Sequence, residues 1–330
     1  MFVNGISPEL LMDGVYFLAG FVLLVAGANY LVKGSSSIAA RLNISAVVIG
    51  LTVVAFGTSL PELLVSVIAN MGDRAGSTIA IGNIVGSNIA NLGLILGVAG
   101  VIAAINVERG LIRFEFPLLV LVSLLFMGFS WNGQISRVEG IILLVGLVAF
   151  TYRSYTSART GHAVPGLEEV PIVHNGNIWI EIFMVIGGLA GLVLGAQWLV
   201  ESAESLALAA GISPLVIGLT LVAVGTSLPE LATTVVAVRR NEGDIAVGNV
   251  VGSNLFNMLF IGGLASIINP IPVPLVMRAL DFPIMLGFTL LVFVFVLIKP
   301  RKIQRWQGFV LLVAYFTYTI WLFTANGGPA

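Results

Sequence analysis

Ten apolar stretches divide this chain, at 14–32, 45–69, 77–104, 114–131, 138–153, 179–200, 213–238, 245–268, 280–298 and 307–324. A helix needs about 20 apolar residues to cross a bilayer, so the pattern reads as ten membrane crossings. Composition agrees: 58% of residues are hydrophobic and 9% are charged, against about 45–50% and about 25% in soluble domains. Too few polar side chains exist to cover a water-facing surface, so the outside must face lipid. The expected fold class is an all-α polytopic membrane protein.

Several chemistries are excluded at once. There is no cysteine, which rules out disulfides, thiolate metal sites and cysteine nucleophiles. A net charge of −1 makes no electrostatic case for nucleic acid. No signal peptide is expected: Met1 to Gly14 is polar, lacks a basic start and leads into a full-length span. Glu9 and Asp13 suggest that this end is exported.

Lysines and arginines orient the spans. With the N-terminus outside, cytoplasmic loops carry Lys33, Arg41, Arg109, Arg113, Arg153, Arg159, Arg239, Arg240, Lys299, Arg301, Lys302 and Arg305. Outer loops then carry only Arg74, Arg137 and Arg278, a bias of twelve to three. Both termini are expected outside, with the long polar connection in the cytoplasm of a cell that holds the protein in its plasma membrane.

The chain also repeats itself. IGLTVVAFGTSLPE at 49–62 matches IGLTLVAVGTSLPE at 217–230 in twelve of fourteen positions, at an offset of 168. IAIGNIVGSNIAN at 79–91 matches IAVGNVVGSNLFN at 245–257 in nine of thirteen, at an offset of 166. The expected organisation is a first five-helix repeat over 1–153 (motif region 45–104), a cytoplasmic loop over 154–178, and a second repeat over 179–330 (motif region 213–268). Five spans is an odd number, so the second repeat must enter the membrane upside down. Inverted repeats of this kind characterise secondary transporters, whose sites lie near the midplane where the halves meet.

Spans two, three, seven and eight hold just two ionisable residues, Glu62 and Glu230. A central acidic side chain costs about 2.5–3.5 kcal/mol on insertion scales. Two of them at equivalent repeat positions point to a binding role rather than to helix packing. Pro61 and Pro229 precede them and should break the helix, because proline supplies no N–H and disfavours helical angles before it. Freed carbonyls at membrane depth are tolerable where they line a cavity. Thr58 and Ser59 share the face of Glu62, as Thr226 and Ser227 share that of Glu230. Ser87 and Asn91, and Ser253 and Asn257, are four apart on the partner helices. Hydroxyl, amide, carbonyl and carboxylate oxygens suit hard cations such as Ca²⁺ and Na⁺; both histidines, His162 and His174, fall in the central loop. Gly82 with Gly86, and Gly248 with Gly252, have the spacing of close helix packing. Asn83, Asn249, Asn88 and Asn254 could bond freed backbone or bind ions.

A repeated GTSLPE, each followed by GNxxGSN, resembles the alpha repeats of the sodium/calcium exchanger family, prokaryotic type, within the calcium:cation antiporter superfamily. The resemblance covers all ten spans, the central loop and both motif pairs. It implies two inverted five-helix halves in which broken core helices two, three, seven and eight hold the ions while helices one and six slide across them. It makes Glu62 and Glu230 the central carboxylates shared by calcium and sodium. Thr58 and Thr226 would give hydroxyl or backbone oxygens, and Ser59, Ser227, Ser87 and Ser253 would complete flanking sodium sites. Ala55 and Ala223 would offer carbonyls, with Asn91 and Asn257 in the remaining central polar positions. Potassium-dependent relatives have an aspartate where Asn257 stands, and proton-coupled calcium exchangers carry a GNAxE-type motif in place of GTSLPE.

The implied activity is electrogenic, potassium-independent Na⁺/Ca²⁺ antiport by alternating access, with Na⁺ and Ca²⁺ as substrates, the bilayer as surroundings, and no cofactor, enzyme activity or obligate protein partner. Two carboxylates form a −2 site that one Ca²⁺ neutralises and three Na⁺ would leave at +1. The ligand set permits that stoichiometry; only the resemblance suggests it. Ca²⁺/H⁺ antiport, with the carboxylates carrying protons, is the alternative. A cation channel fits near-identical inverted halves less well, and an intramembrane enzyme would need a nucleophile constellation that is absent.

Overall fold

Lipid offers the backbone no hydrogen bonds, so a chain this apolar must satisfy its amides within helices. The computed structural model describes residues 8–42, 44–72, 74–160, 177–209 and 225–326. Among them, seven helices are long and apolar enough to cross a membrane: Leu10–Arg41, Ser77–Ile102, Leu111–Asn132, Arg137–Thr156, Ile178–Ala209, Gly243–Ile268 and Met277–Leu297. Ala46–Thr58 and Leu60–Met71, bent by 46° at a short break, are together long and apolar enough to count as an eighth. Arg305–Asn326 is helical throughout its 22 residues. The expected seventh span is described from Gly225 onward and carries the helix Leu228–Arg239; its earlier part lies outside the described residues, as does most of the central loop. Leu18, Val22, Phe183, Ile186, Phe309 and Ile320 are more than half exposed on the outer helices, as lipid-facing side chains should be.

The first helix, Pro8–Arg41, runs well past the expected 14–32. Its last turns are too polar for lipid, but Ser35 and Ala39 are buried against protein instead. It lies antiparallel to Ile178–Ala209, since Arg41 bonds Glu181 at one end and Ser205 bonds Asp13 at the other. Glycines let the two backbones touch. A Cβ on Gly27 would sit 2.7 Å from the Gly188 carbonyl oxygen, and one on Gly195 would sit 2.5 Å from the Leu24 nitrogen.

Contacts between the two halves come in matched pairs. Ile105–Asn106 pairs antiparallel with Lys302–Ile303, and Gln134–Ile135 with Ile271–Pro272. Shifts of 166 and 168 residues turn one ladder into the other. Arg137 donates to the Ile267 and Ile268 carbonyls that end one core helix, and Arg305 donates to the Ile102 carbonyl that ends the other. Gly140 packs on Gly263 as Gly308 packs on Gly97.

One expectation is corrected. Helices three and eight are not broken: Arg74–Ala90 continues through a wide π-turn, Asn91–Ile95, into Leu96–Ile102. Gly243–Phe256 likewise passes through Asn257–Gly262 into Gly263–Ile268. Neither contains a proline, so the backbone ladder widens by one residue and is not interrupted. Gly248 and Gly252 meet Val47 and Leu51 of the bent span closely. The residues that would correspond on the other side, 215–219, lie outside the described residues.

Candidate functional site

The breaks are short, one residue (Ser59) in the first half and two (Thr226 and Ser227) in the second. Ser59 (φ −84°, ψ 9°) ends the first segment, and Leu60–Met71 starts immediately with Pro61 in its first turn. Ser227 (φ −88°, ψ 4°) does the same before Leu228–Arg239 and Pro229. Proline is tolerated there because first-turn N–H groups have no helical partner. Its ring clashes with the carbonyl four residues back, Gly57 or Gly225, which enforces the break. Each glutamate therefore lies in the first turn of a new helix, where the N-terminal dipole favours negative charge.

The breaks place each serine against the carboxylate of the other half. Ser59 Oγ donates to Glu230 Oε1 at 2.9 Å, and Ser227 Oγ donates to Glu62 Oε1 at 3.3 Å. Ser253 Oγ adds a longer contact to Glu230 Oε1 at 3.5 Å. Glu62 and Glu230 are 1% and 0% exposed, and no lysine or arginine among the described residues pairs with either. The second oxygen of each, Oε2, is buried without a hydrogen-bond partner. Uncompensated, a buried charge costs several kcal/mol, so this pair of acceptors is chemically matched to a cation.

Neutral oxygens surround the carboxylates. Thr58 is buried, and its hydroxyl lies 3.1 Å from Asn249 Oδ1 and 3.3 Å from the Ala55 carbonyl. That carbonyl also accepts the Ser59 N–H at 3.1 Å. Thr226 lies in the turn with Ser227. Ser87, Asn91 and Asn257 are all buried. Asn91 Nδ2 donates to Asn254 Oδ1 at 3.1 Å, while Asn91 Oδ1 and both amide atoms of Asn257 have no partner. Ala223 lies outside the described residues. No group of three or more His, Cys, Asp or Glu forms among the described residues, so the charge of this site rests on its two glutamates. A narrow crevice lined by Phe56, Ser59, Leu60, Leu63, Phe256, Phe260 and Ile261 abuts Ser59.

Two asparagines brace the glutamate helices. Asn83 Nδ2 donates to the Glu62 carbonyl at 3.2 Å and to Ser66 Oγ at 2.9 Å. Asn249 Nδ2 donates to the Glu230 carbonyl at 3.5 Å and to Thr234 Oγ1 at 3.1 Å. Sequence reasoning left these asparagines open and passed over Ser66 and Thr234. A signal existed, since Ser66 and Thr234 are 168 apart and both carry a hydroxyl.

The family model for the sodium/calcium exchanger protein matches residues 13–156 and 180–324. The chain belongs to the sodium/calcium exchanger family. Among family relatives, it is 38% identical over 321 residues to the putative antiporter CaxA of Alkalimonas amylolytica, covering 96% of this chain and 100% of the relative. It is 35% identical to the sodium/calcium exchanger MaX1 of Methanosarcina acetivorans, covering 93% of this chain and 97% of that one. A solved structure of the sodium-calcium exchanger NCX_Mj, soaked with zero Na⁺ and Ca²⁺, superposes with a TM-score of 0.83 at 33% identity, over 95% of this chain and 99% of the other. The NCX_Mj structure thus shares the all-helical architecture described above.

Proposed function

We propose that this chain exchanges Na⁺ for Ca²⁺ across the plasma membrane by alternating access, electrogenically and without K⁺. The observation that supports it best is the reciprocal pair Ser59–Glu230 and Ser227–Glu62, with one oxygen of each carboxylate held and the other unpaired. Two carboxylates and a set of neutral oxygens are what a hard cation needs. Ca²⁺ would balance the site at zero, and three Na⁺ would leave it at +1. Both ions require Glu62 and Glu230, so each displaces the other. Thr58, Thr226, Ser59, Ser227, Ser87, Ser253, Asn91, Asn257, Ala55 and Ala223 would complete the ligand set.

The reading includes ten spans in two inverted five-helix repeats, 1–153 and 179–330, with both termini outside and the 154–178 loop in the cytoplasm. The ten apolar stretches and the basic-residue bias support it. The matched ladders and arginine caps are the contacts that such a duplication would produce.

The test is sodium-gradient-driven ⁴⁵Ca²⁺ uptake into vesicles containing the purified chain. Uptake should respond to an imposed membrane potential and be unchanged when K⁺ is replaced by choline. Glu62→Gln and Glu230→Gln should each abolish it. Wild-type uptake by both variants would sink the assignment, and uptake driven by a pH gradient without sodium would move it to Ca²⁺/H⁺ antiport.

A further inference from the structure

A side-chain amide has two unlike ends. Its oxygen can face a cation, whereas its NH₂ repels one. An asparagine that serves a cation site therefore needs a partner to fix which end points inward.

Asn91 has such a partner. Its Nδ2 donates to Asn254 Oδ1 at 3.1 Å, which leaves Asn91 Oδ1 buried and free of donors. Asn254 is itself 0% exposed, in the helix that crosses the Asn91 turn. The repeat offset of 166 makes Asn88 the counterpart of Asn254, and Asn257 that of Asn91. Asn88 and Asn257 are each 1% exposed, and all four of their amide atoms lack a hydrogen-bond partner. The symmetry-related pair, Asn257 of the second half and Asn88 of the first, thus carries the same two groups with the hydrogen bond unmade, so one amide is tied and the other is not.

We propose that Asn254 is a positioning residue that holds the Asn91 amide with its oxygen toward the transported cation, and that Asn88 serves Asn257 in the same way. The proposal rests on the cation-exchange reading above. Asn254 would touch Asn91 and not the ion, acting only through the direction of one amide.

A double-mutant cycle separates orientation from structure. Equilibrium ⁴⁵Ca²⁺ binding to the full-length purified protein is measured for Asn254→Ala, for Asn91→Asp and for the pair. Asn254→Ala should weaken binding about tenfold, the scale of one hydrogen bond that sets a ligand's geometry. Asn91→Asp places oxygens at both ends of the side chain, so orientation no longer matters there. In that background Asn254→Ala should add less than about twofold. An equal penalty in both backgrounds, or none beside the native Asn91, overturns the proposal. Asn254→Asp keeps an acceptor for the Asn91 N–H and should not weaken binding; a tenfold loss there overturns it too, even if Asn254→Ala fails to assemble. Asn88→Ala should repeat the pattern against Asn257→Asp. Binding is read without a sodium gradient, so a protein that binds Ca²⁺ but does not exchange it would sink only the exchange reading. One that binds no cation would sink both.

Discussion

At the residue scale, donors and acceptors are arranged so that the site keeps a surplus of acceptors. Every neutral partner of a carboxylate described here donates a hydrogen bond to one oxygen and leaves the other available. Ser59→Ala removes the shorter of the two reciprocal bonds, at 2.9 Å, and is expected to raise the half-saturating Ca²⁺ concentration about fivefold to tenfold in uptake assays. Ser227→Ala, whose bond is 3.3 Å, should have a smaller effect; a reversed order would show that these distances do not govern affinity. Asn249→Ala strands the buried Thr234 hydroxyl and should destabilise the protein by about 1–2 kcal/mol, read from denaturation in detergent. Much of this scale was legible in the sequence. Glu62 and Glu230 could be found because a charge in an apolar run has a large cost, and the serines because they sit beside a repeated proline. The crossing of partners was not legible, since Ser59 lies only three residues from Glu62 and local spacing pairs it with its own neighbour.

At the element scale, two devices shape the molecule: a short helix break before a proline and a glycine-lined crossing. Proline in the first turn loses no helical bond, so Pro61→Ala should fold normally yet remove the ring whose clash with the Gly57 carbonyl breaks the helix at Ser59. Straightening the 46° bend would carry Ser59 away from Glu230. Uptake should fall at least tenfold at unchanged expression. Gly27→Val forces a Cβ to within 2.7 Å of the Gly188 carbonyl; the two long helices must separate, and the solubilised protein should lose its monodisperse peak on gel filtration. Gly187→Ala is the contrast, because its Cβ would meet nothing nearer than Phe183 at 4.0 Å, and it should be neutral or slightly stabilising. Apolar length located every described helix but failed at the ends of the two longest, at Lys33–Arg41 and at Glu201–Ala209. Hydropathy measures preference for lipid, whereas Ser35 and Ala39 are sheltered by protein. The π-turns at Asn91 and Asn257 were also illegible, as no residue type marks a ladder that widens without breaking.

At the scale of the whole molecule, orientation can be tested directly because the chain has no cysteine to remove. On the proposed orientation, a membrane-impermeant maleimide applied to intact cells should label Gln134→Cys and spare His162→Cys until the cells are opened; the opposite pattern would invert the topology. The repeat made the duplication visible, yet alignment alone could not show how the halves are joined. The ladders Ile105–Ile303 and Ile135–Ile271 each take one strand from either half, and the caps of Arg137 and Arg305 cross in the same sense. The serine nearest each glutamate belongs to the other half. During synthesis, then, the first five helices would wait in the bilayer with their key polar groups unpartnered until the last five arrive. Residues 1–160 and 177–330 expressed as separate chains should each be degraded alone and recover together. A single half could regain the closer serine for its glutamate by meeting a second copy inserted the other way up.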